Sequence, residues 1–398
     1  MKKPNVYALQ PFDPEETKAL EQPDPQPVYA ELIARCPVHT GPGGTKTLMR
    51  MRDIVGVNKR PDVLGPGAHG PTMGGQRPLP PLDLDGPEHA RYRRLLDPLF
   101  SAKRCAAFEP QVRALASELI DGFISRGAAD LRAEFCQPLP SRFFLALMGL
   151  PRAQLPEFLQ IKDAILGHLP PGMTFPERMA AVKAASARCY QLIGAALDAR
   201  TGPADDLLGS LAAAGLSRDE ILDISFLMVL AGLDTTAAAL TCIVARLARD
   251  PVLRARIVAE PSLWPTAIEE LLRLESPVQH GFRTPSADVT VAGETLPAGD
   301  TFFLSWAGAN LDPDVFVNPL QTDPARDPNP HIAWGVGFHR CLGIHLARLE
   351  LRVALEELHR RIPDYELAPG HELVFAGKPR TANSLPLVWK ASPSPQTF

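Results

Sequence analysis

No two cysteines in this sequence are close enough to form a Cys-x-x-Cys pair. The six, Cys36, Cys105, Cys136, Cys189, Cys242 and Cys341, are scattered along 398 residues. That spacing excludes a paired-thiol metal or redox motif and fits reduced thiols in a cytoplasmic protein. A surplus of either charge is also missing: 41 Lys and Arg stand against 45 Asp and Glu, a net charge of −4. The basic stripe of a nucleic-acid binder is therefore not expected. Residues 1–16 hold two lysines but no apolar run behind them, so they read as neither a secretory signal nor a membrane anchor. Long hydrophobic runs are scarce. The most apolar stretch, 221–247, contains Asp223 and Asp234, and charges are costly within a membrane span. It reads as a helix through a globular core. With no internal repeat and no flexible linker, one domain is expected over 1–398, with 1–25 as a loosely ordered arm.

Proline is plentiful, at 42 residues, about twice ordinary usage, and it is spread as punctuation between helices. Residues 41–87, rich in Gly and Pro, read as short strands and loops. From His89 to Arg126 the spacing of Leu95, Leu99, Val112, Leu115 and Leu119 is helical, with a break around Pro110. Further helices are predicted over 141–149, 152–168, 176–199 and 205–213. Ser217-Arg218-Asp219-Glu220 is a capping box. The helix it opens should run to Arg249 and stop at Asp250-Pro251. About 32 residues at 1.5 Å each give roughly 48 Å, enough to cross the molecule. A helix over 266–274 follows, then strands and turns over 283–306. A last long helix should start near Cys341 or Leu342, bury Leu342, Leu346, Leu349, Val353 and Leu358, and end at Pro363. The tail, 369–389, reads as a β-hairpin.

The strongest chemical signal is Trp334-Gly335-Val336-Gly337-Phe338-His339-Arg340-Cys341-Leu342-Gly343. One cysteine sits in a glycine-rich turn leading into a helix. A helix N-terminus offers unpaired N–H groups and a positive dipole end, both of which lower a thiol pKa. Glycines let the backbone approach a flat cofactor closely. A cysteine alone at a helix start reads better as a buried structural residue. The ten-residue pattern favours the ligand.

This segment resembles the cysteine-ligand loop of the cytochrome P-450 family, Phe-Gly-x-Gly-x-His-x-Cys-x-Gly, with Trp334 in place of the first Phe. In the family that aromatic packs near the sulfur, and the thiolate pushes electron density onto haem iron and favours O–O cleavage. The resemblance implies haem b on Cys341, with Ala231, Trp334, Gly335, His339 and Gly343 lining it. Cys-x-x-Cys-His is absent, so covalent attachment is excluded. Ala231-Gly232-Leu233-Asp234-Thr235-Thr236, in mid-course of the long helix, resembles the family's oxygen-binding motif. The implied roles are proton delivery for Asp234, by a carboxylate that rotates towards solvent, and a hydrogen bond to reacting oxygen for Thr235. A Thr hydroxyl can also bond back one turn and bend a helix. Glu270-Leu271-Leu272-Arg273 matches the family's Glu-x-x-Arg and implies a structural cluster with Arg326. His89, Arg93, Arg283 and His339 match the cationic partners of the haem propionates.

The resemblance runs from about residue 24 to 389 and is closest to soluble bacterial enzymes of the camphor-hydroxylase type. It implies a mainly α fold, a triangular helical body with a small β-rich region. It also implies a cytoplasmic, monomeric monooxygenase acting on a small or medium apolar molecule. Electrons would come from NAD(P)H through a reductase and a ferredoxin or flavodoxin, with no nucleic-acid or membrane partner. By family position Leu227, Leu230, Ala231 and Gln279 line the substrate pocket, facing the 65–82 loop. Lys378 is read either as reaching that pocket or as a solvated turn lysine. The alternatives are a peroxide-driven peroxygenase or haem-thiolate isomerase, which the Asp234–Thr235 pair disfavours. A non-enzymatic haem binder or gas sensor would need a signalling or DNA-binding element.

Overall fold

The computed structural model describes residues 18, 20–41, 44–166, 172–202 and 204–390. Its axis is the central helix, Arg218–Arg249. Ser217 Oγ accepts the Glu220 N–H at 3.2 Å, and Glu220 Oε2 accepts the Ser217 N–H at 2.7 Å. Two orphan donors are thereby satisfied reciprocally. At the other end Asp250 breaks the helix and caps the next one, Pro251–Ala259, through the Leu253 N–H. The most apolar 18-residue window of the central helix has a mean hydropathy of 1.9 and is 83% buried inside the protein. Its apolar surface is therefore covered by other helices, as its sequence required. The helices Pro138–Met148, Phe175–Asp198, Trp264–Glu275 and Ile344–Arg361 all pack against it.

A small five-stranded sheet flanks this mainly helical body. Its order is Val38–Thr40, Lys46–Leu48, Phe302–Ser305, His280–Pro285, Val63–Leu64. All neighbours run antiparallel except Lys46–Leu48 beside Phe302–Ser305. This sheet has its own apolar cluster, including Leu48, Ile54, Phe302, Leu304 and Phe316. It fixes the site by holding Arg283 opposite Phe302 in register.

Several local expectations are corrected. The break expected around Pro110 is not among them: the short helix Ala102–Ala106 ends there, and Pro110 sits in the first turn of the next, Glu109–Asp121, where its missing N–H costs nothing. Residues 41–87 contain a helix, Met51–Val57, whose Met51 N–H is held by Asp312 Oδ2. The helix Gln26–Arg35 follows the arm expected over 1–25, of which residues 1–17 and 19 lie outside the described residues. The tail hairpin is confined to Phe375–Ala376 and Thr381–Ala382. Pro386–Val388 instead joins Ala128–Asp130 and Glu366–Leu367 in a three-stranded sheet. The terminal helix starts at Ile344, so Cys341 lies in the turn before it.

Candidate active site

The loop before the terminal helix is shaped by its glycines. Gly335 and Gly337 have φ of +69° and +75°, a region costly for other residues. A Cβ at Gly337 would also crowd Asn58. The loop closes by the Cys341 N–H donating to Trp334 O at 2.9 Å. Cys341 is exposed, whereas Cys105, Cys136, Cys189 and Cys242 are buried. Although the residue is exposed, the protein crowded around its thiol pushes the pKa up by desolvation. The Gly343 N–H directed at it and the Arg93, Arg340 and Arg348 guanidinium groups pull the other way. The helix-terminus argument therefore captures one contribution, and desolvation outweighs it in the protein alone. Trp334, which stands where the family has Phe, has a polar edge with a partner of its own. Its Nε1 donates to Glu269 Oε2 at 3.3 Å, and the Arg348 guanidinium lies 5.6 Å from its ring.

The four predicted propionate partners are gathered beside this loop. The His89 and His339 rings are 4.7 Å apart. Arg93 Nη1 donates to Arg340 O at 2.7 Å, pinning the helix Gly86–Leu96 to the cysteine loop. Arg283 is buried, with Nε and Nη2 on Asn58 Oδ1 at 3.1 and 2.8 Å. Burial, with the nearby His339 and Arg93, pulls the His89 pKa down to about 4. Its Nε2 is buried and has no hydrogen-bond partner, a costly condition that a ligand oxygen would relieve. This orphaned nitrogen beside two guanidinium groups, a second imidazole and a glycine-lined thiol fits a flat, doubly carboxylated macrocycle. Asp85, missed from sequence, organises the cluster. Its two oxygens take His339 Nε2 at 3.0 Å and the Gly65 N–H at 2.9 Å. A Cβ on Gly65 would stand 2.6 Å from His339 Nε2, so that approach requires glycine.

On the central helix, Gly232 permits a tight helix crossing. A Cβ there would come within 2.5 Å of the Phe144 ring. Thr235 Oγ1 donates to Ala231 O at 2.8 Å, the back-bond expected of a helical threonine. Its hydrogen is thereby engaged, so the hydroxyl presents an acceptor and not the donor inferred from sequence. The Leu233 carbonyl accepts from Gln137 Nε2 and Ser141 Oγ. Ala231 is exposed and Thr235 half-buried, while Leu227 and Leu230 are buried, Leu230 at 2% among core aliphatics on the Asp234 side. Asp234 contradicts the picture of a carboxylate swinging to solvent. It is buried, and Oδ1 accepts from Lys162 Nζ at 2.9 Å. Lys162, itself 3% exposed, also meets the half-exposed Asp163 at 2.7 Å. Lys162 was legible in principle, since it follows Phe158 by four residues on the buried face of its helix.

Gln279 is buried with Nε2 unpartnered. Lys378 is exposed at the turn of the short tail hairpin. The Glu270 carboxylate and Arg273, both fully buried, form a two-bond fork at 2.7 and 2.8 Å. Arg326 Nε adds a third bond to Glu270 at 3.0 Å. The expected cluster is assembled, and Arg273 Nη1 also anchors Asn310 O and Pro319 O. Glu350 was not anticipated. Burial raises its carboxyl well above the ordinary range, against a hydrogen bond from Thr236, the neighbour of Thr235.

The family model for cytochrome P-450 matches residues 175–362. Over 317 residues the chain is 38% identical to cytochrome P-450-SU2 of Streptomyces griseolus, spanning 77% of this chain and 76% of that protein. It therefore belongs to the cytochrome P-450 family, monooxygenases and hydroxylases in which a cysteine thiolate holds haem. It is also similar to the steroid C26-monooxygenase of Mycobacterium tuberculosis H37Rv, at 30% identity over 92% of this chain and 94% of that protein. Among solved structures, a myxobacterial cytochrome P-450, CYP267B1 in complex with myristic acid, superposes with a TM-score of 0.86 at 29% identity. It covers 95% of this chain and 100% of that one.

Proposed function

We propose that the protein is a haem b-dependent monooxygenase that inserts one atom of dioxygen into a small or medium apolar substrate. The observation that carries this reading is the exposed Cys341 thiol beside the orphaned His89 Nε2, Arg93, Arg283 and His339. Cys341 would hold the haem iron through its thiolate, and His89, Arg93, Arg283 and His339 would hold the propionates. Haem so held supplies dioxygen activation, with the second oxygen atom leaving as water. Thr235 accepts a hydrogen bond in the cleft, its own hydrogen spent on Ala231 O. Asp234 passes protons from the Lys162–Asp163 side towards Thr235, since Asp163 reaches solvent. Ala231 and Leu227 supply apolar contact, and Gln279 Nε2 offers one donor to orient a polar end of the substrate. Relatives named for a steroid and a methyl-branched lipid support an apolar substrate class.

Electrons would come from NAD(P)H through a ferredoxin or flavodoxin. Two features of the surface suit such a donor: Phe338 of the cysteine loop is 72% exposed, and a groove of 440 Å³ is lined by Ile268, Glu269, His345, Arg348, Leu349 and Arg352. The test is a substrate panel with labelled dioxygen, a ferredoxin, its reductase and NAD(P)H. One labelled oxygen atom should appear per product molecule. Turnover with hydrogen peroxide and none with reduced ferredoxin would instead favour the peroxygenase.

A further inference from the structure

The helix Pro138–Met148 buries Leu139, Phe143, Phe144, Leu145 and Met148, and among them one hydroxyl, that of Ser141, wholly excluded from solvent. A buried helical serine ordinarily bonds back to its own helix, one turn earlier. Ser141 reaches across instead, and its Oγ donates to Leu233 O of the central helix at 3.2 Å. Gln137, the N-cap residue one turn before it, directs both amide hydrogens to the same place. Its Nε2 donates to Ser141 Oγ at 2.8 Å and to Leu233 O at 3.1 Å. An amide turned the other way would set its oxygen against the Leu233 oxygen, so the network fixes its orientation. A carbonyl oxygen has two lone pairs, and helix geometry already brings the Ala237 N–H to this one. Three donors converge on two lone pairs, so the side chains compete with the ladder bond at Leu233.

Consecutive residues of the central helix are held from this side. Gly232 lies against the Phe144 ring, 2.5 Å from where a Cβ would stand. Leu233 O carries the two side-chain donors, and Asp234 Oδ1 takes Lys162 Nζ at 2.9 Å. Thr235 follows at once, its hydroxyl on Ala231 O. Leu233 and Thr235 lie about 200° apart round the helix axis. The Gln137–Ser141 clamp therefore grips the helix from behind, opposite the side that carries Thr235. The peptide from Leu233 to Asp234 is one rigid plane. Holding its oxygen fixes the Asp234 Cα, and with it the path of the carboxylate to Lys162. Hydrocarbon side chains at 137 and 141 would fill the same space and leave Leu233 O to Ala237 alone.

We infer that Ser141 and Gln137 are positioning residues for dioxygen reduction, holding the Leu233–Asp234 peptide in the orientation from which Asp234 delivers protons towards Thr235. The inference rests on the roles proposed above for Asp234 and Thr235, and it assigns neither Ser141 nor Gln137 a contact with substrate. With the clamp gone, Leu233 O returns to the Ala237 N–H, the peptide plane turns, and Asp234 is carried with it. Proton delivery then slows against release of reduced oxygen. Each such release passes two electrons from one NADPH, with two protons, to one dioxygen, and gives one hydrogen peroxide and no product.

Full-length holoenzymes of wild type, Ser141→Ala, Ser141→Cys and the double variant Ser141→Ala with Gln137→Met would be compared. Leu139→Ala, which removes buried carbon from the same helix, is the control. The first readout is hydrogen peroxide released per NADPH oxidised, with a ferredoxin, its reductase and ethoxycoumarin as an apolar probe. The second is hydrogen–deuterium exchange of amides in 231–237. The ratio of peroxide-forming to peroxide-free turnover should rise about threefold in Ser141→Ala and about tenfold in the double variant, the weight of one and of two hydrogen bonds. Ser141→Cys, whose thiol is a weaker donor, should fall between wild type and Ser141→Ala. Exchange should quicken in 231–237 and stay unchanged in the terminal helix. Leu139→Ala should lower the melting temperature more than Ser141→Ala does, yet keep the wild-type ratio. A wild-type ratio or wild-type exchange in the double variant, or an equal rise of the ratio in Leu139→Ala, would overturn the clamp. Ser141→Ala decides by the same outcomes if the double variant does not fold. If wild type itself releases every electron pair as peroxide, the roles of Asp234 and Thr235 fail, and exchange alone then decides whether the clamp holds the peptide.

Discussion

Replacing Lys162 by Met should destabilise the protein more than replacing its partner Asp234 by Asn. The ammonium and carboxylate are 2.9 Å apart, with side chains only 3% and 4% exposed. Asp234 Oδ2 has no other hydrogen-bond partner. Lys162→Met therefore leaves a buried carboxylate with no counter-charge, a change that costs about 3–5 kcal/mol in comparable settings. The reverse change is milder, because Lys162 keeps Asp163 at 2.7 Å, half exposed to water. Asp234→Asn also retains an amide oxygen for the ammonium, so about 1–2 kcal/mol is expected. The double variant should cost about 2 kcal/mol less than the sum of the two singles, since the second change removes the group that the first one stranded. Urea unfolding of the three variants, with slopes shown to match wild type, measures all four corners of this cycle. Equal single costs that add to within about 0.5 kcal/mol would refute the reasoning. The same variants separate charge from chemistry. Asp234→Asn should lower product formed per NAD(P)H consumed, whereas Lys162→Met, which keeps the carboxylate, should lower it less.

Other outcomes follow from the same geometry. Burial raises the Glu350 pKa in the folded protein above its unfolded value of 4.5, so wild type loses stability as pH rises beyond that value. Glu350→Gln should therefore raise the melting temperature by a margin that grows from about pH 5 to 8, and a pH-independent difference would count against a neutral buried acid. Gly232→Ala would drive a Cβ to within 2.5 Å of the Phe144 ring, and an overpacking cost of about 1–3 kcal/mol exceeds the helix gain of about 1 kcal/mol. Thermal unfolding should show a net loss, recovered in part by Phe144→Leu; a stabilised single variant would show that the crossing is looser than described. Arg93→Ala and Arg283→Ala should each speed haem loss to apomyoglobin, by the weight of a charge-assisted bond of about 1.5–3 kcal/mol. Unchanged loss in both would remove them from the propionate site.

The amino-acid pattern announced some features more clearly than others. The central helix was legible because its cap, apolar surround and stop signal agree at every level, and the structure shows the same bounds. The Glu270–Arg273–Arg326 cluster was legible because its spacing is local or motif-bound. Met51–Val57 was missed because its surroundings are full of Gly and Pro, and its start is fixed by Asp312, 261 residues away. The pairing of Asp234 with Lys162 is equally non-local. An acid on a helix says where it sits along the chain, but its partner 72 residues earlier appears only once two helices are packed. His89 illustrates the same limit for charge, since the burial that pulls its pKa down appears only in the folded chain. Asp85 was overlooked because surface charge is the ordinary reading of such a residue, and nothing in its neighbourhood signals His339, 254 residues away.

The central claim is that Cys341 is the thiolate ligand of a haem. Its most direct test is the spectrum of the reduced protein under carbon monoxide, recorded for wild type and Cys341→Ser at matched haem content. Wild type should show the red-shifted Soret band of a thiolate-ligated haem, and Cys341→Ser should lack it. The same red-shifted band in both proteins would contradict the assignment.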